Sequence, residues 1–166
     1  ASTIVTITTY PIPDILFTTN VDEGCEDLLV RFESSIDPAA ITSQIWDFGD
    51  GRIGAGSIVS NLYDEADCYD VNLAITTIDG CESDATFTDR ICVWKMPVAD
   101  FSYEPTNPNL LELSVEFINA SEFADTYEWT FGDGHVSAMN NPTNEFPEWG
   151  NKTYEVELIA ITDKGC

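Results

Sequence analysis

Basic side chains are scarce in this sequence. Six Lys and Arg stand against thirty Asp and Glu, a formal net charge of −24 at pH 7. Nucleic acid is excluded as a partner, because binding it requires cations that neutralise phosphates. Histidine is scarcer still, with His135 alone. One histidine, no His-paired nucleophile and no phosphate-cradling loop leave nothing to assemble into an acid–base pair, so the sequence predicts no enzyme. No apolar run is long enough to cross a bilayer, which excludes membrane insertion. The five cysteines contain no C-x-x-C pair, and with a lone histidine this argues against a zinc site. Disulfides are the reading that remains, and they imply an oxidising, extracellular or cell-surface setting.

What the sequence does have is a repeat. Trp46-Asp47-Phe48-Gly49-Asp50-Gly51 returns as Trp129-Thr130-Phe131-Gly132-Asp133-Gly134, 83 residues on. Leu28-x-Val30-x-Phe32 matches Leu113-x-Val115-x-Phe117, and Tyr69-x-Val71-x-Leu73 matches Tyr154-x-Val156-x-Leu158, both at an offset of 85. Pro13 to Phe17 matches Pro97 to Phe101 at 84, and Gly80-Cys81 matches Gly165-Cys166 at 85. The drop to 83 at the tryptophans places a longer connection in the first copy, between Ser34 and Ser43. Self-similarity of this period means an array of one small module. Residues 1–10 resemble 85–95, the end of the first copy. The expected organisation is therefore a last strand of a preceding repeat (1–10), a first repeat (11–96), and a second repeat lacking its last strand (97–166).

Period-2 alternation dominates each copy. Leu28-Leu29-Val30-Arg31-Phe32-Glu33 and Tyr154-Glu155-Val156-Glu157-Leu158 carry apolar residues on one face and charges on the other, the pattern of half-buried antiparallel strands. Turn residues recur at short intervals, among them Asp37-Pro38, Asp79-Gly80, Asn107-Pro108, Asn141-Pro142 and Gly150. Short strands in a unit of this size predict an all-β fold of tandem immunoglobulin-like sandwiches. Trp46 and Trp129 are expected between the layers, with the glycines after them allowing a tight hairpin. Tyr69 and Tyr154, expected at the start of the next-to-last strand, have the position of a tyrosine corner.

Pro97-Val98-Ala99-Asp100-Phe101, Val115-x-Phe117-x-Asn119-x-Ser121, the Trp129 to Gly134 run, Ser137, Asn141-Pro142-Thr143 and Tyr154-x-Val156-x-Leu158 together resemble a PKD (polycystic kidney disease) domain. The first copy keeps Trp46 to Gly51 and Tyr69-x-Val71-x-Leu73. The resemblance implies an immunoglobulin-like sandwich of roughly seven strands. Cys68-Tyr69-Asp70-Val71 with Asp79-Gly80-Cys81, and Thr162 to Cys166, are similar to PKD repeats of Bacteroidetes surface proteins, which include type IX-secreted adhesins of gliding motility. That implies a non-catalytic stalk segment of a large secreted or cell-surface adhesin, its partners being the neighbouring repeats of its own chain. The Pro-containing junctions Tyr10-Pro11-Ile12-Pro13 and Lys95-Met96-Pro97 would limit bending. PKD repeats also flank catalytic domains in secreted chitinases and proteases, so the alternative is an accessory carbohydrate- or protein-binding module of a secreted hydrolase.

Candidate site residues follow. A sandwich topology puts Cys25 and Cys68 at one end of the first module, predicting a Cys25–Cys68 bridge. It puts Cys92 and Cys166 near the end where the second module begins, predicting Cys92–Cys166 and leaving Cys81 free; the rival pairing is Cys25–Cys81. Asp22-Glu23-Glu26-Asp27 and Asp64-Glu65-Asp67-Asp70 gather oxygen ligands near one end of the first module. Asp22, Glu23, Asp64 and Asp67 are the calcium candidates, although a solvated acidic rim is the favoured reading of them and no EF-hand spacing is present. Trp94 and Trp149 are candidates for stacking on a surface glycan, or for packing a joint. The sequons at Asn119 and Asn151 are near chance frequency.

Overall fold

The computed structural model describes residues 2–7, 9–106, 114–146 and 152–166. Leu113, Asn107, Pro108, Trp149, Gly150 and Asn151 lie outside the described residues. The chain divides into two compact units, Ala1–Trp94 and Lys95–Cys166.

Unit 1 contains β1 (Phe17–Thr19), β2 (Glu23–Cys25), β3 (Leu28–Ser34), β4 (Ile41–Asp47), β5 (Ile53–Ala55), β6 (Ile58–Tyr63), β7 (Cys68–Thr77) and β8 (Glu82–Trp94). They form two sheets, ordered β1-β3-β6 and β2-β8-β7-β4-β5. The alternating strands turn one face inward: Val30 and Phe32 from β3, Trp46 from β4, Tyr63 from β6, Val71, Leu73 and Ile75 from β7, and Ile91 and Val93 from β8 are buried in one cluster. The longer connection after Ser34 is taken up by a 3-10 turn at Pro38–Ala40, which Asp37 caps through its carboxylate on the Ala39 N–H, and by a register shift between Ile41 and Ser43. One pairing departs from the antiparallel expectation. β2 runs parallel to β8, Glu23 level with Cys92 and Cys25 with Trp94, so that Asp22 to Cys25 close the edge that β8 would otherwise present to solvent.

Unit 2 contains β9 (Phe101–Glu104), β10 (Ser114–Asn119), β11 (Thr126–Thr130), β12 (Val136–Ser137), β13 (Thr143–Glu145) and β14 (Glu157–Ile161). Its sheets are ordered β13-β10-β9 and β12-β11-β14. Between them lie Val115, Phe117, Trp129, Phe131 and Leu158.

The same aromatic quartet centres both cores. In unit 1, Phe17 meets Trp46 edge-on at 5.1 Å between ring centroids, Phe32 lies 5.6 Å from Trp46, and Phe48 5.2 Å from Phe32. In unit 2, Phe101, Phe117, Trp129 and Phe131 repeat those distances as 5.1, 5.6 and 5.2 Å. Each indole N–H finds a carbonyl: Trp46 Nε1 donates to Gly56 O at 2.8 Å and Trp129 Nε1 to Met139 O at 2.9 Å. The indole thus fills the interlayer space without burying an unpaired donor.

The two glycines of each Gly-Asp-Gly do different work. Gly49 has φ +81°, and a Cβ there would stand 2.4 Å from the Asp70 carbonyl oxygen; at Gly51, φ +85°, a Cβ would meet nothing within 4 Å. Gly51→Ala is therefore expected to cost only the left-handed backbone penalty, about 1–2 kcal/mol. Gly49→Ala adds a clash with backbone, a further ~1–3 kcal/mol. Chemical denaturation of the two variants checks the order, and equal losses would contradict the close approach.

Candidate functional site

After each tryptophan strand the chain turns and buries a carboxylate. The side chain of Asp50 is 8% exposed and that of Asp133 0% exposed. In unit 1 the Asp50 carboxylate accepts from the Arg52 backbone N–H at 2.9 Å, from Arg52 Nη1 at 3.0 Å and from Asn61 Nδ2 at 2.7 Å. In unit 2 the Asp133 carboxylate accepts from the His135 backbone N–H at 2.9 Å and from Asn144 Nδ2 at 2.8 Å, with His135 Nδ1 at 3.3 Å. Asn144 Oδ1 faces His135 Nδ1 at 3.0 Å. Asn61 and Asn144 are both 5% exposed.

The placement of these groups gives them a task. Asp50 lies on the β4–β5 hairpin, which belongs to one sheet, and Asn61 on β6, in the other. Asp133 and Asn144 join the β11–β12 hairpin to β13 in the same way. Each unit is therefore clipped sheet to sheet by a buried, charge-assisted hydrogen bond. Burial alone would raise the Asp133 carboxyl, but the donors from Asn144 and His135 outweigh it and hold the group below the ordinary carboxylate value of 3.8. In unit 1, Tyr63 reinforces the clip by donating from its hydroxyl to Phe48 O at 3.1 Å, and burial pushes its phenol well above the usual range. The matching residue in unit 2 is Phe146, which has no hydroxyl and stacks on Tyr154 at 4.8 Å. Asn61 and Asn144 escaped the sequence reading, although they stand at the same 83-residue offset as the tryptophans.

The structure distributes the calcium candidates among other partners. Asp22 pairs with Arg90 Nη1 at 2.8 Å and accepts from the Thr19 hydroxyl; the Arg90 bond holds its carboxyl below the ordinary value. Asp64 pairs with Arg52 Nη2 at 2.9 Å, with the same consequence. Asp67 accepts from the Cys68 N–H at 2.8 Å, and Glu23 is exposed on β2. Among the described residues no group of three or more His, Cys, Asp or Glu is arranged to hold a metal ion. Trp94 is half-buried at the end of β8, and Trp149 lies outside the described residues.

Tyr69 makes the corner bond, its hydroxyl donating to Glu65 O at 2.8 Å. Tyr154 does not begin a strand, since β14 starts three residues later at Glu157.

The cysteines correct the expected pairing. Cys68 is bonded to Cys92, with Cα atoms 4.1 Å apart. This excludes both Cys25–Cys68 and Cys92–Cys166. The rival Cys25–Cys81 is excluded too, because Cys81 is a free thiol. The reason is the length of β8. It runs thirteen residues, Glu82–Trp94, far enough past the hairpin to bring Cys92 level with Cys68. The signal was present: each of the two stands twelve residues from Gly80.

Two sandwiches in series, each with an interlayer tryptophan and an Asp–Asn clip, define a tandem immunoglobulin-like β protein. The PKD domain family matches over residues 8–93 and again over 94–166, and the chain belongs to that family. Pre-pro-metalloprotease PrtV of Vibrio cholerae serotype O1, in strains M66-2 and El Tor Inaba N16961, is 26% identical over 134 residues. That match covers 80% of this chain but 14% of the relative's length. Among solved structures, the PKD1 domain of Vibrio anguillarum Epp is 26% identical, with a TM-score of 0.41 over 49% of this chain and 94% of that one. A carbohydrate-binding module of the β-sandwich superfamily is 15% identical, with a TM-score of 0.44 over 90% and 84%.

Proposed function

We propose that the chain is a non-catalytic spacing segment of a larger extracellular protein, its two PKD modules standing in series within the stalk of a surface adhesin. Adhesins of gliding motility are one such setting. The observation that carries this reading is the double construction of one clip. The buried Asp50 and Asp133 are spent on holding sheet to sheet, and nothing in the clip is left to act on a substrate. The Cys68–Cys92 bridge supports an oxidising, extracellular location. The strong negative charge would keep neighbouring stalks from collapsing on one another.

A second reading is favoured by the match to a metalloprotease. Here the modules are accessories of a secreted hydrolase and present a surface to carbohydrate or protein. Two measurements separate the readings. Pulling single chains with their disulfides reduced from end to end is expected to give two discrete unfolding steps, one per module. Panels of immobilised glycans and extracellular-matrix proteins are expected to retain nothing. Saturable binding to one panel member would favour the accessory reading, and a single merged unfolding step would count against independent modules in series.

A further inference from the structure

The hairpin that joins β7 to β8 holds Cys81 in a fixed turn. The Thr77 N–H donates to Cys81 O at 2.8 Å, the Gly80 N–H to Thr77 O at 3.0 Å, and the Cys81 N–H to the Thr77 hydroxyl oxygen at 3.0 Å. Unit 2 builds the same turn. There the Thr162 N–H donates to Cys166 O at 3.1 Å, the Gly165 N–H to Thr162 O at 3.0 Å, and the Cys166 N–H to the Thr162 hydroxyl oxygen at 3.0 Å. Both cysteines are half-buried. They differ in bonding: Cys166 is in a disulfide, whereas Cys81 is a free thiol.

The turn in unit 2 therefore presents its sulfur to a disulfide partner. Cys81 has the same backbone clamp. All five cysteines are among the described residues, and Cys81 alone of them is free, so its partner must come from another polypeptide segment. An odd cysteine in an oxidising setting points to such a bond. The surroundings narrow the kind of partner. Asp79 and Glu82 flank the thiol and are exposed, and no Lys or Arg occurs from residue 73 to residue 89. The Cys81 of a second copy carries the same acids and is repelled, whereas a cysteine set among basic residues is attracted.

We propose that Cys81 is a covalent attachment point, forming a disulfide with a cysteine that a different polypeptide segment presents among basic residues. The bond forms by exchange. The Cys81 thiolate attacks one sulfur of a disulfide that the partner brings, the new S–S bond forms as the partner's own S–S bond breaks, and the departing thiolate takes up the proton that Cys81 released. The partner's disulfide is the oxidant, so no other is needed. The acids at Asp79 and Glu82 select the partner before the exchange, and salt weakens that selection by screening them.

The test uses the folded 166-residue chain and two short peptides, one with a single cysteine between lysines and one with it between glutamates. Each peptide is supplied as its symmetric disulfide, at low and at high ionic strength, and mass spectrometry with peptide mapping follows the adducts. The expected result is one adduct per chain, located at Cys81 and absent from Cys81→Ser. At low salt the lysine peptide should attach about tenfold faster or more than the glutamate peptide, and high salt should close that gap. Asp79→Asn combined with Glu82→Gln, both at exposed positions, should keep the adduct and lose the preference, which separates selection by these acids from mere thiol reactivity. Four outcomes would overturn the proposal: a chain that takes no adduct, adducts at Cys68 or Cys92 in place of Cys81, equal rates for the two peptides at low salt, or disulfide-linked pairs of the chain accumulating ahead of the lysine-peptide adduct.

Discussion

Trp129→Ala is expected to unfold unit 2 while unit 1 stays folded. Removing a fully buried tryptophan costs about 3–5 kcal/mol. Against this, a unit spanning Lys95–Cys166 has a total stability of about 4–10 kcal/mol at typical per-residue values. The indole touches three of the rings that make the unit 2 core: Phe101, Phe117 and, stacked at 6.4 Å, Phe131. Without it the two sheets lose their common wedge. Trp46→Ala strikes unit 1 in the same way, but there a deeper core remains, with Tyr63, Leu73, Ile75, Ile91 and Val93 all buried, and partial survival is expected. Calorimetry should resolve two transitions in the parent chain, with Trp129→Ala abolishing one of them. Both transitions surviving, or both being lost, would refute the assignment of one indole to each independent core.

Asp133→Ala is expected to be the next most damaging change to unit 2. It strands the Asn144 amide and the His135 N–H in a site where the carboxylate was fully buried. Leaving such donors without an acceptor costs about 2–4 kcal/mol. The effect has a pH signature. The Asp133 carboxyl is held below its ordinary value of 3.8 in the folded state, so its contribution is complete above that value and disappears as the pH falls through the lower, folded-state value. Unit 2 should therefore lose stability steeply below about pH 4, and Asp133→Asn, which has no proton to take up there, should show a shallower slope. Urea titrations between neutral and strongly acid pH measure this directly. Parallel slopes for parent and Asp133→Asn would mean that the acid response belongs to other carboxylates.

The sandwich architecture and the place of the tryptophans could be read from the sequence, because two constraints act locally: alternation decides which residues face inward, and the repeat makes chance agreement implausible. Phe17, Phe32, Trp46 and Phe48 each have a counterpart 83 to 85 residues on, and those counterparts reproduce the ring geometry. What could not be read depends on register over distance. The Cys68–Cys92 bond follows from how far β8 runs past its hairpin, and no local propensity states a strand's length. The parallel approach of β2 to β8 has no sequence signature, since Glu23-Gly24-Cys25 is too short to show a period. Tyr154 was expected in a strand from its alternation, yet β14 begins only at Glu157, whereas the corresponding Tyr69 lies within β7. Asn61 and Asn144 were legible but overlooked, because a small polar residue in a strand draws less notice than an indole at the same spacing.

The Cys68–Cys92 bond has a consequence under tension. It spans 24 residues of sequence, which would add about 80 Å of extended chain at roughly 3.3–3.6 Å per residue. While the bond is intact, a pull on the ends of unit 1 can peel β8 away only as far as the covalent rung, and the hairpin beyond it stays furled. The module therefore keeps a reserve of slack that a change in redox conditions, rather than force, would pay out.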